Sequence, residues 1–172
     1  MKIALTGHTG GLGLSMANYF ANGHEVIGFS KSTGNMDQLI PTIQQYDIFV
    51  NNACAGFMQA DLLYAAYERL KDQPSLIVNL SSISSDGIKS WPHQYAVHKA
   101  ALDKAAEQLA NIKGSKCKII NIRPGWIDVP RVASIMEPKI DPIHICEIID
   151  FVLQAWVQGK SVISSITVMP NA

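Results

Sequence analysis

Ile3 to Gly13 reads IALTGHTGGLG: the apolar run Ile3, Ala4, Leu5 enters a turn carrying Gly7, Gly10, Gly11 and Gly13, and a helix-period segment follows at once. Glycine lets a backbone approach an anion closely. The free N–H groups at the start of a helix, with the positive end of its dipole, then favour negative charge. A strand, a glycine turn and a helix in this order are what a dinucleotide-binding turn requires. Gly7, Thr9, Gly11, Leu12 and Gly13 are its candidate phosphate contacts.

Beyond this turn, short apolar runs rich in Ile and Val alternate with helix-period segments along the whole chain. Six strands are expected, at residues 2–6, 25–30, 47–51, 75–80, 117–122 and 161–168. About five helices separate them. One starts near Gly11 and buries Leu12, Met16, Tyr19 and Phe20, with Asn22 and Gly23 at its end; others span about 37–45, 59–73 and 95–112. The last has Asp141 as N-cap, Pro142 at its first position, an apolar stripe of Ile145, Ile148, Ile149, Val152 and Trp156, and a stop at Gly159. The alternation predicts an α/β domain: a doubly wound parallel sheet of about six strands with helices on both faces.

A length of 172 residues suits one domain, 1–172, with 48% hydrophobic residues to form its core. Fourteen basic residues balance fourteen acidic ones, so no general attraction to nucleic acid or to an anionic membrane is expected. Charged residues make up 16% of the chain, with 12 Gly, 8 Pro and no biased run, which excludes a disordered tail and a coiled coil. Cys54, Cys117 and Cys146 have neither zinc-ligand nor disulfide-framework spacing and are expected to be buried free thiols. The histidines lack ligand spacing, so no metal is expected. No signal-peptide core and no apolar run of membrane-spanning length is present, and the expected location is the cytoplasm.

At the end of the second strand an acidic residue would hydrogen-bond the ribose 2′-OH of NAD, whereas a cation would accept the 2′-phosphate of NADP. The residues there are Ser30, Lys31 and Ser32, which favours NADP(H) over NAD(H). Farther on, the run from Leu76 to Leu80 ends in Ser81 and Ser82. Tyr95 follows Ser82 by thirteen positions, and Lys99 stands one helical turn after Tyr95.

Taken together these residues resemble a short-chain dehydrogenase/reductase. Thr6, Gly7, Gly11 and Gly13 match the family's glycine turn; Asn51, Asn52 and Ala53 match its NNAG stretch; Ser82, Tyr95 and Lys99 match its catalytic serine, tyrosine and lysine; Pro124 and Gly125 match its PG motif. The matches run from residue 4 to about residue 128. The resemblance implies a Rossmann fold and hydride transfer between NADP(H) and a carbonyl or alcohol. Tyr95 would be the general acid or base, Ser82 would hold the substrate oxygen, and Lys99 would hold the nicotinamide ribose. Asn52, Ala53, Pro124, Gly125 and Ile127 would join Tyr95 and Lys99 around the cofactor, with Asn35 near the adenine. For Tyr95 to act as a base near pH 7 its pKa must fall about three units, worth about 4 kcal/mol. An ammonium about 4 Å away at an effective dielectric of about 20 is the expected source.

Several positions depart from the family pattern. Cys54 replaces the glycine of NNAG, and Val129 replaces a threonine that contacts the carboxamide. The short connection from residue 32 to 46 trims the region of the family's third strand. The family's fourth catalytic residue, an asparagine, has no obvious counterpart, Gln59 and Asp61 being the nearest substitutes. Residues 130–141 leave a short substrate loop, with Trp126 a pocket or core aromatic. The resemblance also implies a homodimer or homotetramer through the helices at 59–73 and 95–112, where Ala100, Ala101, Ala105 and Ala106 would permit close packing; His98 is expected at the surface or in that interface. Two readings stay open: an NADP-dependent oxidoreductase acting on a small carbonyl or alcohol, and a catalytically weak or inactive NADP(H)-binding sensor or assembly subunit of the same fold. A nucleotide-sugar epimerase or dehydratase would need a long C-terminal substrate region.

Overall fold

A computed structural model describes residues 1–159 and 162–171. Six strands, β1 (Lys2–Thr6), β2 (Glu25–Phe29), β3 (Ile48–Asn51), β4 (Ser75–Leu80), β5 (Cys117–Pro124) and β6 (Ser165–Val168), form one sheet in the order β2-β1-β3-β4-β5-β6. Every neighbouring pair is parallel. The helices are α1 (Gly11–Phe20), α2 (Leu39–Thr42), α3 (Met58–Leu70), α4 (Gln94–Ala110) and α5 (Pro142–Gln158).

Alternate strand residues serve opposite faces. Ile3, Leu5, Ile48, Val50, Val78, Leu80 and Ile122 pack with α1 and α5, whereas Ala4, Phe49, Ile77 and Ile119 pack with α2, α3 and α4. Burial on both faces is why the strands read as continuous apolar runs. In α5 the Asp141 side chain accepts from Ile143 N at 2.8 Å, Pro142 occupies the first turn, and Gly159 closes the helix at φ 64°. Ile145, Ile149 and Val152 are fully buried, each worth about 2 kcal/mol of transfer free energy. Ile148 and Trp156 lie at the edge of the same cluster, as do Leu12 and Tyr19 of α1.

The sheet and the helix order follow the sequence expectation, with local differences. β5 extends two residues past 122 because Arg123 and Pro124 pair with Thr167 and Val168 of β6. Ser161, the first residue of the expected last strand, lies outside the described residues; pairing begins only at Ser165. The helix expected over 37–45 is broken. Pro41 has no N–H and crowds the carbonyl four residues back, so the segment winds as 3₁₀ turns, Met36–Gln38 and Ile43–Gln45, around the single turn of α2. It still buries Leu39 and Ile43, and no strand lies between β2 and β3, which leaves β2 at the edge of the sheet.

Two packing expectations are corrected. Ala105 and Ala106 face the chain's own core beside Leu63 and Tyr67, because α3 packs directly on α4; Ala100 and Ala101 are only partly exposed. Cys117 and Cys146 are buried as expected, but Cys54 is only half-buried, since the turn after β3 opens into a cavity. Among the described residues no helix is long and apolar enough to cross a membrane, and no cluster of His, Cys, Asp and Glu could hold a metal.

Candidate active site

From β1 the chain goes to β2 on one side and to β3 on the other, so the sheet order reverses between β1 and β3. In such sheets a crevice opens at the carboxyl ends of those two strands. The turn after β1 and the turn after β3 meet there and are tied together. Thr6 Oγ1 accepts from the N–H groups of Asn52 (2.9 Å) and Ala53 (3.0 Å), and Asn52 Nδ2 donates to Thr6 O at 3.0 Å. Gly7 adopts φ 73°, and a Cβ on Gly13 would lie 1.9 Å from Gly7 O. Glycine is therefore obligatory at both positions, and the first turn of α1 packs directly on the loop whose N–H groups would face a pyrophosphate. The fit to a dinucleotide rests on this cradle.

The crevice continues into a cavity of about 1000 Å³. Its wall brings together Gly7, Gly11, Leu12, Gly13, Asn52, Ala53, Ser82, Tyr95, Lys99, Pro124, Gly125 and Ile127. Thr9, Ser30, Lys31, Ser32 and Asn35 are not part of that wall. They form a hydroxyl-rich loop beside the glycine turn, in which Ser32 Oγ lies 3.1 Å from Thr9 Oγ1 and 2.8 Å from Ser30 Oγ. Asn35 is committed to this loop: its Oδ1 accepts from Ser30 N (3.0 Å) and Thr33 Oγ1 (2.7 Å), and its Nδ2 donates to Gly28 O (2.9 Å). Lys31 is exposed and has no ion pair among the described residues.

Ser82, two residues past β4, has extended backbone and caps the 3₁₀ turn Ile83–Asp86, its Oγ accepting from Ser84 N at 3.1 Å. Its own O–H remains available to the cavity. Tyr95, in the first turn of α4, is half-buried, and Ser82 and Arg131 lie beside its hydroxyl. Burial raises the Tyr95 pKa above the usual 10; hydrogen bonding by Ser82 and the charge of Arg131 offset part of that rise. The strong depression expected from Lys99 is absent. The Lys99 ammonium sits 5.4 Å from the centre of the Tyr95 ring, and its hydrogen bonds go to Gln59 and Leu80 O. In this environment Tyr95 carries its proton near pH 7.

Lys99 is 3% exposed and donates to Gln59 Oε1 at 2.7 Å and to Leu80 O at 2.6 Å. Desolvation lowers its pKa to about 8, so it remains mostly charged at neutral pH, with a third N–H to offer. Gln59 lies in the first turn of α3 and is itself fixed, its Nε2 donating to Asn51 O at 2.7 Å and Leu80 O at 3.1 Å. Of the two residues considered for the missing asparagine, Gln59 touches Lys99 directly; Asp61 faces outward on the same turn.

Behind Gln59 a polar row crosses the sheet. Asn51 Nδ2 donates to Asn79 Oδ1 (3.1 Å), Asn79 Nδ2 to Asn121 Oδ1 (3.0 Å), and Asn121 Nδ2 to Asp103 Oδ1 (3.1 Å). Asp103 pairs with Arg123, which also reaches Asp86. The sequence reading used only Asn51 of this row. Its signal was present, because each of the three asparagines interrupts an apolar strand, and they occupy one register. Arg131 and Lys89, which also line the cavity, were not singled out. Trp126 lines it as well and is 43% exposed, which makes it a pocket aromatic, and His98 stacks edge-on against Phe57 with ring centres 4.6 Å apart.

No family model and no curated protein matches the sequence. Solved structures do match its shape. A 4-hydroxyisoleucine dehydrogenase complexed with NADH superposes with a TM-score of 0.77 at 16% identity, covering 99% of this chain and 97% of that one. The chain has the fold of the short-chain dehydrogenases. A short-chain dehydrogenase/reductase from Vibrio parahaemolyticus covers all of both chains at a TM-score of 0.74 and 19% identity. An alcohol dehydrogenase from Thermococcus sibiricus complexed with 5-hydroxy-NADP gives 0.74 at 15% identity, covering 96% of this chain and 94% of that one. This short-chain dehydrogenase fold is thus matched over nearly the whole length.

Proposed function

We propose that this chain is a member of the short-chain dehydrogenase/reductase family, an NADP(H)-dependent oxidoreductase acting on a small carbonyl or alcohol. The observation that carries the reading is the convergence of Ser82, Tyr95 and Lys99 with the glycine cradle on one cavity. The structural neighbours include complexes with NADH and with 5-hydroxy-NADP, which supports a nicotinamide cofactor. Lys31, exposed and unpaired beside the glycine turn, supports the phosphorylated form.

The nicotinamide supplies or accepts the hydride. The chain's residues manage the proton and the oxygen. Tyr95, protonated near pH 7, donates its hydroxyl proton to the carbonyl oxygen during reduction. Ser82 donates a hydrogen bond to the same oxygen and favours the negative charge that develops there. Lys99, held by Gln59 and Leu80 O, directs its remaining N–H toward the cavity and keeps a positive charge beneath the Tyr95 ring. The assembly reading, a homodimer or homotetramer, draws on Tyr64 and Val97, both exposed on α3 and α4.

The test is a panel of aldehydes, ketones and quinones offered with NADPH or NADH and followed at the nicotinamide absorbance. NADPH oxidation that depends on a carbonyl compound is the expected result. NADPH binding without turnover on any member of the panel would favour the sensor reading instead.

A further inference from the structure

The cavity beyond Ser82 and Tyr95 is asymmetric in charge. Two loops close it: residues 87–93, after β4, bring Lys89, and residues 125–132, after β5, bring Arg131. Among the described residues no aspartate or glutamate lines it. The carboxylates nearby are engaged elsewhere, Asp86 and Asp103 with Arg123, and Asp128 with Lys139 at 3.8 Å. Arg131, exposed and with no ion pair among the described residues, lines the same cavity as Tyr95, whose hydroxyl is the point at which a substrate oxygen would be held. Lys89 is kept over the Trp91 ring, 5.7 Å from its centre. Trp91, Trp126 and Val132 give this end an apolar wall, with His93 of the first loop beside Tyr95, their ring centres 6.3 Å apart.

A guanidinium presents a planar fork of donors that matches a carboxylate in two parallel hydrogen bonds. Arg131 is exposed at the cavity mouth, where a carboxylate could reach its fork of donors. We propose that the substrate of this site is a 2-oxo acid with an apolar or aromatic side chain, Arg131 holding the carboxylate while Ser82 and Tyr95 hold the adjacent carbonyl oxygen. The neighbouring positions of the carboxylate and the carbonyl in such a molecule match the neighbouring positions of Arg131 and Tyr95. Trp91 and Trp126 then cover the side chain. In the reaction the C=O π bond is broken, the carbon gains the hydride and the oxygen gains the Tyr95 proton, which solvent restores. A 2-hydroxy acid forms as the reduced nicotinamide is oxidised. The inference rests on the reductase reading.

The test uses oxanilate, a non-reducible 2-oxo-acid analogue carrying a phenyl ring, and its uncharged methyl ester, titrated calorimetrically into the protein with bound NADP⁺. Oxanilate should bind about 10- to 100-fold more tightly than the ester, and Arg131→Leu should remove that advantage while the affinity for NADP⁺ stays within about twofold. Equal binding of acid and ester, undiminished oxanilate binding by Arg131→Leu, or a tenfold loss of NADP⁺ affinity in that variant would each overturn the proposal; the last would make Arg131 a cofactor ligand. Turnover of phenylpyruvate and its methyl ester with NADPH separates the two layers. Tyr95-dependent reduction with no preference for the acid overturns the anion site alone. Oxanilate binding through Arg131 without any carbonyl reduction upholds the anion site and overturns the reductase reading.

Discussion

At the carboxyl ends of β1 and β3 the site is made of backbone: Gly7 and Gly13 packed together, and Thr6 locking the two turns. At the ends of β4 and β5 it is made of side chains: Ser82, Tyr95 and Lys99 on the wall, with Gln59 and the asparagine row behind them. A backbone-built site fails when atoms are added to it, and a side-chain-built site fails when atoms are taken away. The two halves also differ in dielectric. Lys99 is desolvated to a pKa of about 8, whereas Lys31, beside the glycine turn, is exposed.

On the backbone half, the largest effect comes from one methyl group. Gly13→Ala puts a Cβ against Gly7 O, so the helix must shift; a loss of about 3 kcal/mol in stability is expected by denaturation. NADPH affinity should fall at least about 100-fold, measured by fluorescence titration. An alanine variant that binds NADPH normally would remove the backbone half of the comparison.

A smaller effect sharpens the side-chain half. Lys99 has its folded pKa lowered to about 8, so it loses its proton as pH rises through that value. The kcat/KM for carbonyl reduction should accordingly be flat below about pH 8 and fall about tenfold per unit above it. Removing the Gln59 acceptor withdraws support from the charged form, so Gln59→Leu should move that limb to lower pH and cut kcat about tenfold. A purely structural Gln59 would change the melting temperature and leave the limb where it is. The smallest effect is on cofactor choice. Lys31→Ala should reduce the preference for NADPH over NADH by about five- to tenfold, read as a ratio of dissociation constants, since one exposed cation contributes about 1 kcal/mol.

The contrast also accounts for what the sequence could convey. A backbone cradle must be written in glycines at fixed spacing after a strand, so Gly7, Gly11 and Gly13 were legible together with the fold. The Tyr95 and Lys99 pair was legible because one helical turn fixes its spacing. Gln59 was ambiguous, since its bond to Lys99 spans 40 positions and no local pattern encodes it. Arg131 lies in a loop with no periodicity, and only the folded chain brings it to Tyr95. The Tyr95 shift runs opposite to the expectation for a related reason: burial, which the sequence does not report for a single hydroxyl, outweighs the Ser82 hydrogen bond and the Arg131 charge. Pro41 was in plain view within the helix expected over 37–45, and its missing N–H explains the broken segment observed there.

The central claim is that the Tyr95 hydroxyl moves the proton while the backbone cradle independently holds the cofactor. Tyr95→Phe removes one oxygen, and its turnover and NADPH dissociation constant can be measured on the same sample. Reduction slowed by about 1000-fold with NADPH affinity within about twofold of the wild type is the expected result. A phenylalanine variant that reduces the same substrate at an undiminished rate would contradict it.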